Sequence, residues 1–189
     1  MGRIYEQIDD RLAGYLTAQP VFFVATAPLS AGGHVNCSPK GNRGELAVLD
    51  GHTVAYLEQT GSGIETVAHL RENGRIVLMF CSFDGPPRIV RLHGRGEVVA
   101  GSDAGFADLT QRMGVTPGIA ARSVIVTSVE RISDSCGYGV PLMDFVAHRP
   151  QMDEWGARKG LAGVVAYREE KNARSIDGLP GMGRAPATP

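Results

Sequence analysis

Residues Tyr56–Ser82 (YLEQTGSGIETVAHLRENGRIVLMFCS) constrain the fold more than any other stretch. A β-rich run stops at Gly61-Ser62-Gly63, passes directly into an amphipathic segment, and returns through Asn73-Gly74 to an apolar run. Strand, helix and strand therefore follow one another through very short turns. Such a turn aims a helix N-terminus, with its free amides and partial positive charge, above the strand ends.

The rest of the chain reads mainly as strands. Ile4, Ile8, Leu12, Tyr15 and Leu16 share one face of a helix over Ile4–Leu16. Val21–Ala27 is a compact aromatic and β-branched strand after Pro20, and His34–Ser38 is its return strand after the Ala31-Gly32-Gly33 turn. Leu46–Leu49 and Thr53–Glu58 flank Asp50-Gly51, a strong hairpin dipeptide. The spacing predicts a helix over Ser62–Asn73, strands over Arg75–Cys81 and Arg88–Val99, a helix over Ser102–Met113, and a strand over Arg122–Ile132. Many strands and few long helices favour an antiparallel barrel over a parallel α/β sheet. A partly helical excursion around Trp155 completes a single domain over residues 1–172, and 173–189 form a Gly/Pro-rich tail expected to be partly disordered.

Composition bounds the function classes. With 189 residues and 43% hydrophobic content the chain can bury one good core. A net charge of −1 argues against broad nucleic-acid or anionic-membrane binding but leaves room for a local basic pocket. The first residues carry acids and no continuous apolar core, so no signal peptide is expected, and no apolar run reaches membrane-spanning length. Three widely spaced cysteines fit the reducing cytoplasm.

Several segments carry candidate chemistry. Ser62 and Glu65 have capping-box spacing, while Gly61 and Gly63 allow close backbone approach beside the hydroxyls of Thr60, Ser62 and Thr66. A helix cap and a phosphate cradle both fit that turn. Pro39 should stop ladder pairing, leaving Ser38 and Lys40 on an exposed rim, where a lysine acts as a point charge for a phosphate or an acidic substrate. Arg91, His93 and Arg95 share one strand face, which must meet solvent, an anion or another subunit. Cys136 lies among flexible glycines but has no histidine fixed beside it, whereas Cys37 and Cys81 read as buried packing groups. The five histidines lack metal-ligand spacing, so no metal site is expected, and His69 reads as surface or core edge.

The ordered series FFVATA, HVNCSPKG, TVAYLEQTGSGIETVAHLRENGRIVLMF and PRIVRLHGRGEVV resembles the pyridoxamine 5′-phosphate oxidase-like, FMN-binding split-barrel family over roughly Ile4 to Asp177. The resemblance implies a mainly β, six-stranded antiparallel split barrel with flanking short helices. It also implies a homodimer with FMN at the subunit interface, and a flavin-mediated oxidoreduction of a small molecule. Carried over to this chain, Asn36, Ser38 and Lys40 line the flavin ring and ribityl chain. Tyr56 and the Thr60-Gly61-Ser62-Gly63 turn hold ribityl and phosphate, and Arg88 and Arg91 contribute across the dimer. No residue is assigned to catalysis. Two departures point away from oxidation of pyridoxamine phosphate itself: Ser62-Gly63-Ile64 stands where the true oxidases have Ser-Arg-Lys, and their C-terminal arginine-rich strand is not recognisable. Relatives of this fold also include flavin- or haem-binding modules for sensing or storage, and deazaflavin-dependent reductases.

Overall fold

The computed structural model describes residues 2–42 and 44–182. Its strands are β1 (Ile4–Tyr5), β2 (Val21–Thr26), β3 (Asn36–Gly41), β4 (Leu46–Asp50), β5 (Thr53–Gln59), β6 (Arg75–Cys81), β7 (Ile89–Ala100) and β8 (Ala121–Ser135). They form one antiparallel sheet in the order β3-β2-β6-β7-β8-β5-β4, with β1 paired to β8. Around it lie α1 (Asp10–Ala18), α2 (Glu65–Asn73), α3 (Phe106–Met113) and α4 (Gln151–Lys171). This is the mainly β, curled antiparallel architecture that the pattern predicts, with eight strands among the described residues in place of six.

The sheet curls because its inward face is apolar on nearly every strand. Phe22 of β2 stacks on Phe80 of β6 at 5.3 Å and meets Tyr56 of β5 edge-on at 5.5 Å, joining strands from the two ends of the sheet. Leu12 and Leu16 of α1 and Val67 and Leu70 of α2 close this core. On the outer face, Leu109 and Met113 of α3 cover Ala55, Leu57 and Val124 in a second cluster.

Several boundaries move, each for a local reason. The first helix starts at Asp10 and not Ile4, because Asp9 caps it through Leu12 N (2.7 Å) while Ile4 and Tyr5 pair with Ser133 and Ile132. β3 runs through Pro39, which is tolerated because an edge strand has one unpaired side. That register turns Asn36, Ser38 and Lys40 inward and Cys37 outward, so Cys37 is exposed while Cys81 is buried. Residues 102–105 form turns, with Asp103 accepting from Ala100 N (2.8 Å), and α3 begins at Phe106. The expected excursion is α4, broken at Gly160 (φ 64°), where Trp155 meets Tyr167 edge-on at 5.1 Å.

No capping box forms at α2. The helix begins at Glu65, and the Glu65 carboxylate accepts from Ile176 N (3.1 Å). Residues 173–182 turn back along this helix: Arg71 in its last turn donates to the Gly181 carbonyl, and His34, just before β3, pairs through Nδ1 with Asp177 at 2.6 Å. The remainder of the expected tail, 183–189, lies outside the described residues.

His69, expected at the surface or core edge, is fully buried. Its Nδ1 lies 2.9 Å from Thr26 Oγ1, which also accepts from Asn36 Nδ2 (3.1 Å); its Nε2 is buried without a partner among the described residues. Burial lowers its pKa, against the opposing pull of the Asp177, Glu65 and Glu72 carboxylates. A histidine kept neutral by folding contributes stability that is complete above its unfolded value, about 6.5, and is lost as pH falls below it. Urea melts at pH 7.5 and 5.5 should show a loss on acidification that is smaller in His69→Gln. Equal losses in both proteins would exclude His69 as a source of the dependence.

Candidate functional site

A cleft of about 280 Å³ opens where the end of β3 faces the end of β5. Lys40, Glu45, Gln59, Thr60 and Gly61 line it, with Met152 of α4 closing one side. Period-two alternation on β5 places Val54, Tyr56 and Glu58 on the inward face, so a carboxylate enters the barrel at the level of Lys40.

That carboxylate organises the site. Glu58 is 1% exposed, and its Oε1 accepts from Lys40 Nζ (3.0 Å) and from Arg122 Nη2 (2.8 Å). Arg122, at the start of β8, is also buried; its Nη1 donates to the Gly63 carbonyl (2.9 Å) and to Asn172 Oδ1 (3.0 Å). Asn172, just past α4, donates through Nδ2 to the Gly61 carbonyl (2.9 Å). Arg168 Nε donates to Thr60 Oγ1 (2.8 Å), which in turn donates to the Ala120 carbonyl (2.7 Å). Burial and the neighbouring Arg122 charge both lower the Arg168 pKa. Two cations thus share one fully buried carboxylate, and a third, Arg168, lies beside Arg122 at the start of the glycine turn. Glu45, nearby, accepts from Gln59 Nε2 (2.6 Å) and Asn42 Nδ2 (3.1 Å), and burial raises its carboxyl toward the neutral form.

Several buried polar atoms here have no partner among the described residues: Ser38 Oγ, Tyr56 OH, Glu58 Oε2, Gln59 Oε1 and Arg122 Nε. Burial, and then the Glu58 charge, push the Tyr56 phenol well above its ordinary pKa, so it stays protonated.

The structure brings most of the expected site residues together. Lys40, Thr60 and Gly61 line the cleft, with Ser38 and Tyr56 on the same inward face. Lys40 and Ser38 are not on an exposed rim: Lys40 is half-buried in its ion pair, and Ser38 Oγ is enclosed. Ser62 and Gly63 are exposed in the same turn, and Asn36 Nδ2 donates to Thr66 Oγ1 (3.0 Å) in the first turn of α2.

Arg88 and Arg91 lie apart from the cleft. Arg88 donates to Tyr5 OH (2.7 Å), pairs with Asp134 (3.5 Å) and lies over the Tyr15 ring. Burial raises the Asp134 carboxyl, but hydrogen bonds from Tyr5 and Arg3 N and the Arg88 charge outweigh it and hold the pKa below the ordinary value. This group borders a separate cavity of about 720 Å³. Arg91 Nη1 donates to Ser135 Oγ (3.1 Å) on the outer sheet face, where Phe23, Ala25, Val77 and Met79 are half-buried.

Sequence reasoning missed Glu58, Arg122, Arg168 and Asn172. Glu58 left a signal, a lone charge on the inward register of an otherwise apolar strand, whereas Arg122 shares its parity with the outward Val124 and Val126 and turns inward only at the register shift opposite Glu58 and Gln59. Arg168 and Asn172 left none.

A sequence model of the family described as pyridoxamine 5′-phosphate oxidase matches residues 8–136, which include the β3–α2 cleft and Arg122. The chain belongs to this family. It is 42% identical over 192 residues to the pyridoxamine 5′-phosphate oxidase family protein ustO of Aspergillus flavus, covering 94% of this chain and 77% of that protein. HupZ of Group A Streptococcus is 25% identical with a TM-score of 0.51, covering 66% of this chain and 91% of that one. A conserved protein of unknown function from Corynebacterium diphtheriae shares the fold at 15% identity and a TM-score of 0.50, covering 72% and 98%. Arg168 and Asn172 lie outside the family match.

Proposed function

We propose that the protein binds FMN in the cleft and acts as an oxidoreductase on a small molecule, as a homodimer with the cofactor at the subunit interface. One observation carries this reading. Lys40 and Arg122 share a single fully buried carboxylate beside a glycine turn, and a third cation, Arg168, binds Thr60 at the start of that turn. Burying surplus positive charge is costly, and a phosphate removes that cost.

The residues present fit the group. Lys40 and the Thr60-Gly61-Ser62-Gly63 turn would hold the phosphate. The unpaired Gln59 Oε1 in the cleft wall, with Ser38 and Asn36 along β3, would meet polar atoms of the ribityl chain and ring. Arg88 and Arg91 would serve the cofactor across the dimer, and the half-buried apolar face around Phe23 and Met79 suits such an interface. When bound, FMN supplies hydride or electron transfer at its N5. The chain's own part is to orient the cofactor, neutralise its phosphate and keep water from the buried ion pairs. Free cysteines at 37, 81 and 136 suit the cytoplasm, and no helix among the described residues is long and apolar enough to cross a membrane.

The test is titration of apo-protein with FMN, followed by flavin fluorescence and visible absorption. The wild type should turn yellow and quench at one FMN per chain. Lys40→Ala should weaken affinity by more than about tenfold, the worth of one charge-assisted contact. A wild-type protein that takes up no FMN overturns the reading, and unchanged affinity in the variant removes Lys40 from the phosphate shell.

A further inference from the structure

The glycine turn at the cleft does not rest on its own hydrogen bonds. Both of its glycine carbonyls are held from behind: Gly61 by Asn172 Nδ2 at 2.9 Å and Gly63 by Arg122 Nη1 at 2.9 Å. In a trans peptide the carbonyl and the following amide point in opposite directions. Holding the Gly61 carbonyl inward therefore turns the Ser62 amide outward, and Ser62 is exposed.

The orientation of Asn172 is itself determined. Its Oδ1 accepts from Arg122 Nη1 (3.0 Å), so the donor end of the side-chain amide must face Gly61. Arg122 is oriented by Glu58 at 2.8 Å, and Glu58 and Asn172 are completely or almost completely buried. The relay runs from a buried carboxylate, through a guanidinium and a side-chain amide, to one backbone peptide of the turn.

We propose that Asn172 is a positioning residue for phosphate recognition. Through the Gly61 carbonyl it holds the Ser62 amide toward the phosphate of the flavin, and Arg122 and Glu58 keep Asn172 in the one orientation that does this. The inference rests on the FMN reading above and adds selectivity for the phosphorylated over the unphosphorylated flavin. Asn172 is neutral, so it tunes the turn without adding charge. It lies just past α4, beyond the part of the chain that the family model matches.

The experiment compares FMN with riboflavin, which lacks only the phosphate, on the full-length wild type and on Asn172→Leu, a replacement of similar size with no charge and no hydrogen bond. Asn172→Leu should lose about tenfold in FMN affinity, one hydrogen bond to a charged group, with riboflavin affinity unchanged within about twofold. Parallel loss for both flavins marks a purely structural residue and overturns the proposal, as does unchanged FMN affinity. Amide NMR of the wild type gives a second reading that needs no variant to fold. The Ser62 amide should shift on addition of FMN and stay in place with riboflavin, and a Ser62 amide indifferent to FMN overturns the proposal. A wild type that binds neither flavin overturns the FMN reading itself, a result distinct from binding without selectivity.

Discussion

Arg122→Leu is expected to destabilise the protein by about 3–5 kcal/mol, the usual cost of stripping one partner from a buried ion pair. For a chain of this size that is a fall in Tm of roughly 6–20 °C. The guanidinium neutralises Glu58, ties down the Gly63 carbonyl and orients Asn172, so its removal leaves three polar partners short at once, two of them buried. Lys40 alone cannot compensate, because it reaches the same carboxylate oxygen from the cleft side while Glu58 Oε2 already lacks a partner. The double variant Arg122→Leu/Glu58→Leu should recover the part of the loss that comes from the uncompensated Glu58 charge, since apolar packing can replace a buried pair of matched volume. Calorimetry decides it: a single variant melting within about 2 °C of the wild type would mean that the pair is not needed to hold the barrel end.

Phe80→Ala should cost a similar amount, about 3–5 kcal/mol. Phe80 is fully buried on β6 and stacks on Phe22, the ring that joins β2 to Tyr56 on β5. Truncation leaves a cavity at the point where the curled sheet meets itself, and the surrounding strands cannot collapse into it without losing register. Val146→Ala, on a side chain 92% exposed, is the matched control and should stay within about 0.5 kcal/mol. A denaturant midpoint for Phe80→Ala indistinguishable from that of Val146→Ala would refute the account of closure.

Much of this fold was legible from local signals. The β4–β5 hairpin around Asp50-Gly51 and the strand–turn–helix–strand unit through Gly74 (φ 69°) follow from turn chemistry and periodicity. What failed depended on partners far along the chain. Glu65 has capping-box spacing, yet the amide it binds is 111 residues away at Ile176. The Ile4 end reads as helix, but β8 offers it a ladder. His69 has an ordinary mid-helix context, and only the packing of α2 against β2 and β3 buries it against Thr26. The same limit applies to the site. Lys40 and the glycine turn stand out by residue type, whereas Arg168 and Asn172 acquire meaning only when α4 folds back on the turn.

The placement of Asn172 has a consequence for the order of biosynthesis. A chain emerging from the ribosome N-terminus first has Glu58, Lys40 and Arg122 available once β8 is out, so the barrel can close early. The Gly61 carbonyl still waits for a donor about fifty residues further on, and Thr60 waits for Arg168. The nascent barrel therefore holds its buried charges before its glycine turn is fully fastened, and translation of the last helix completes the cleft.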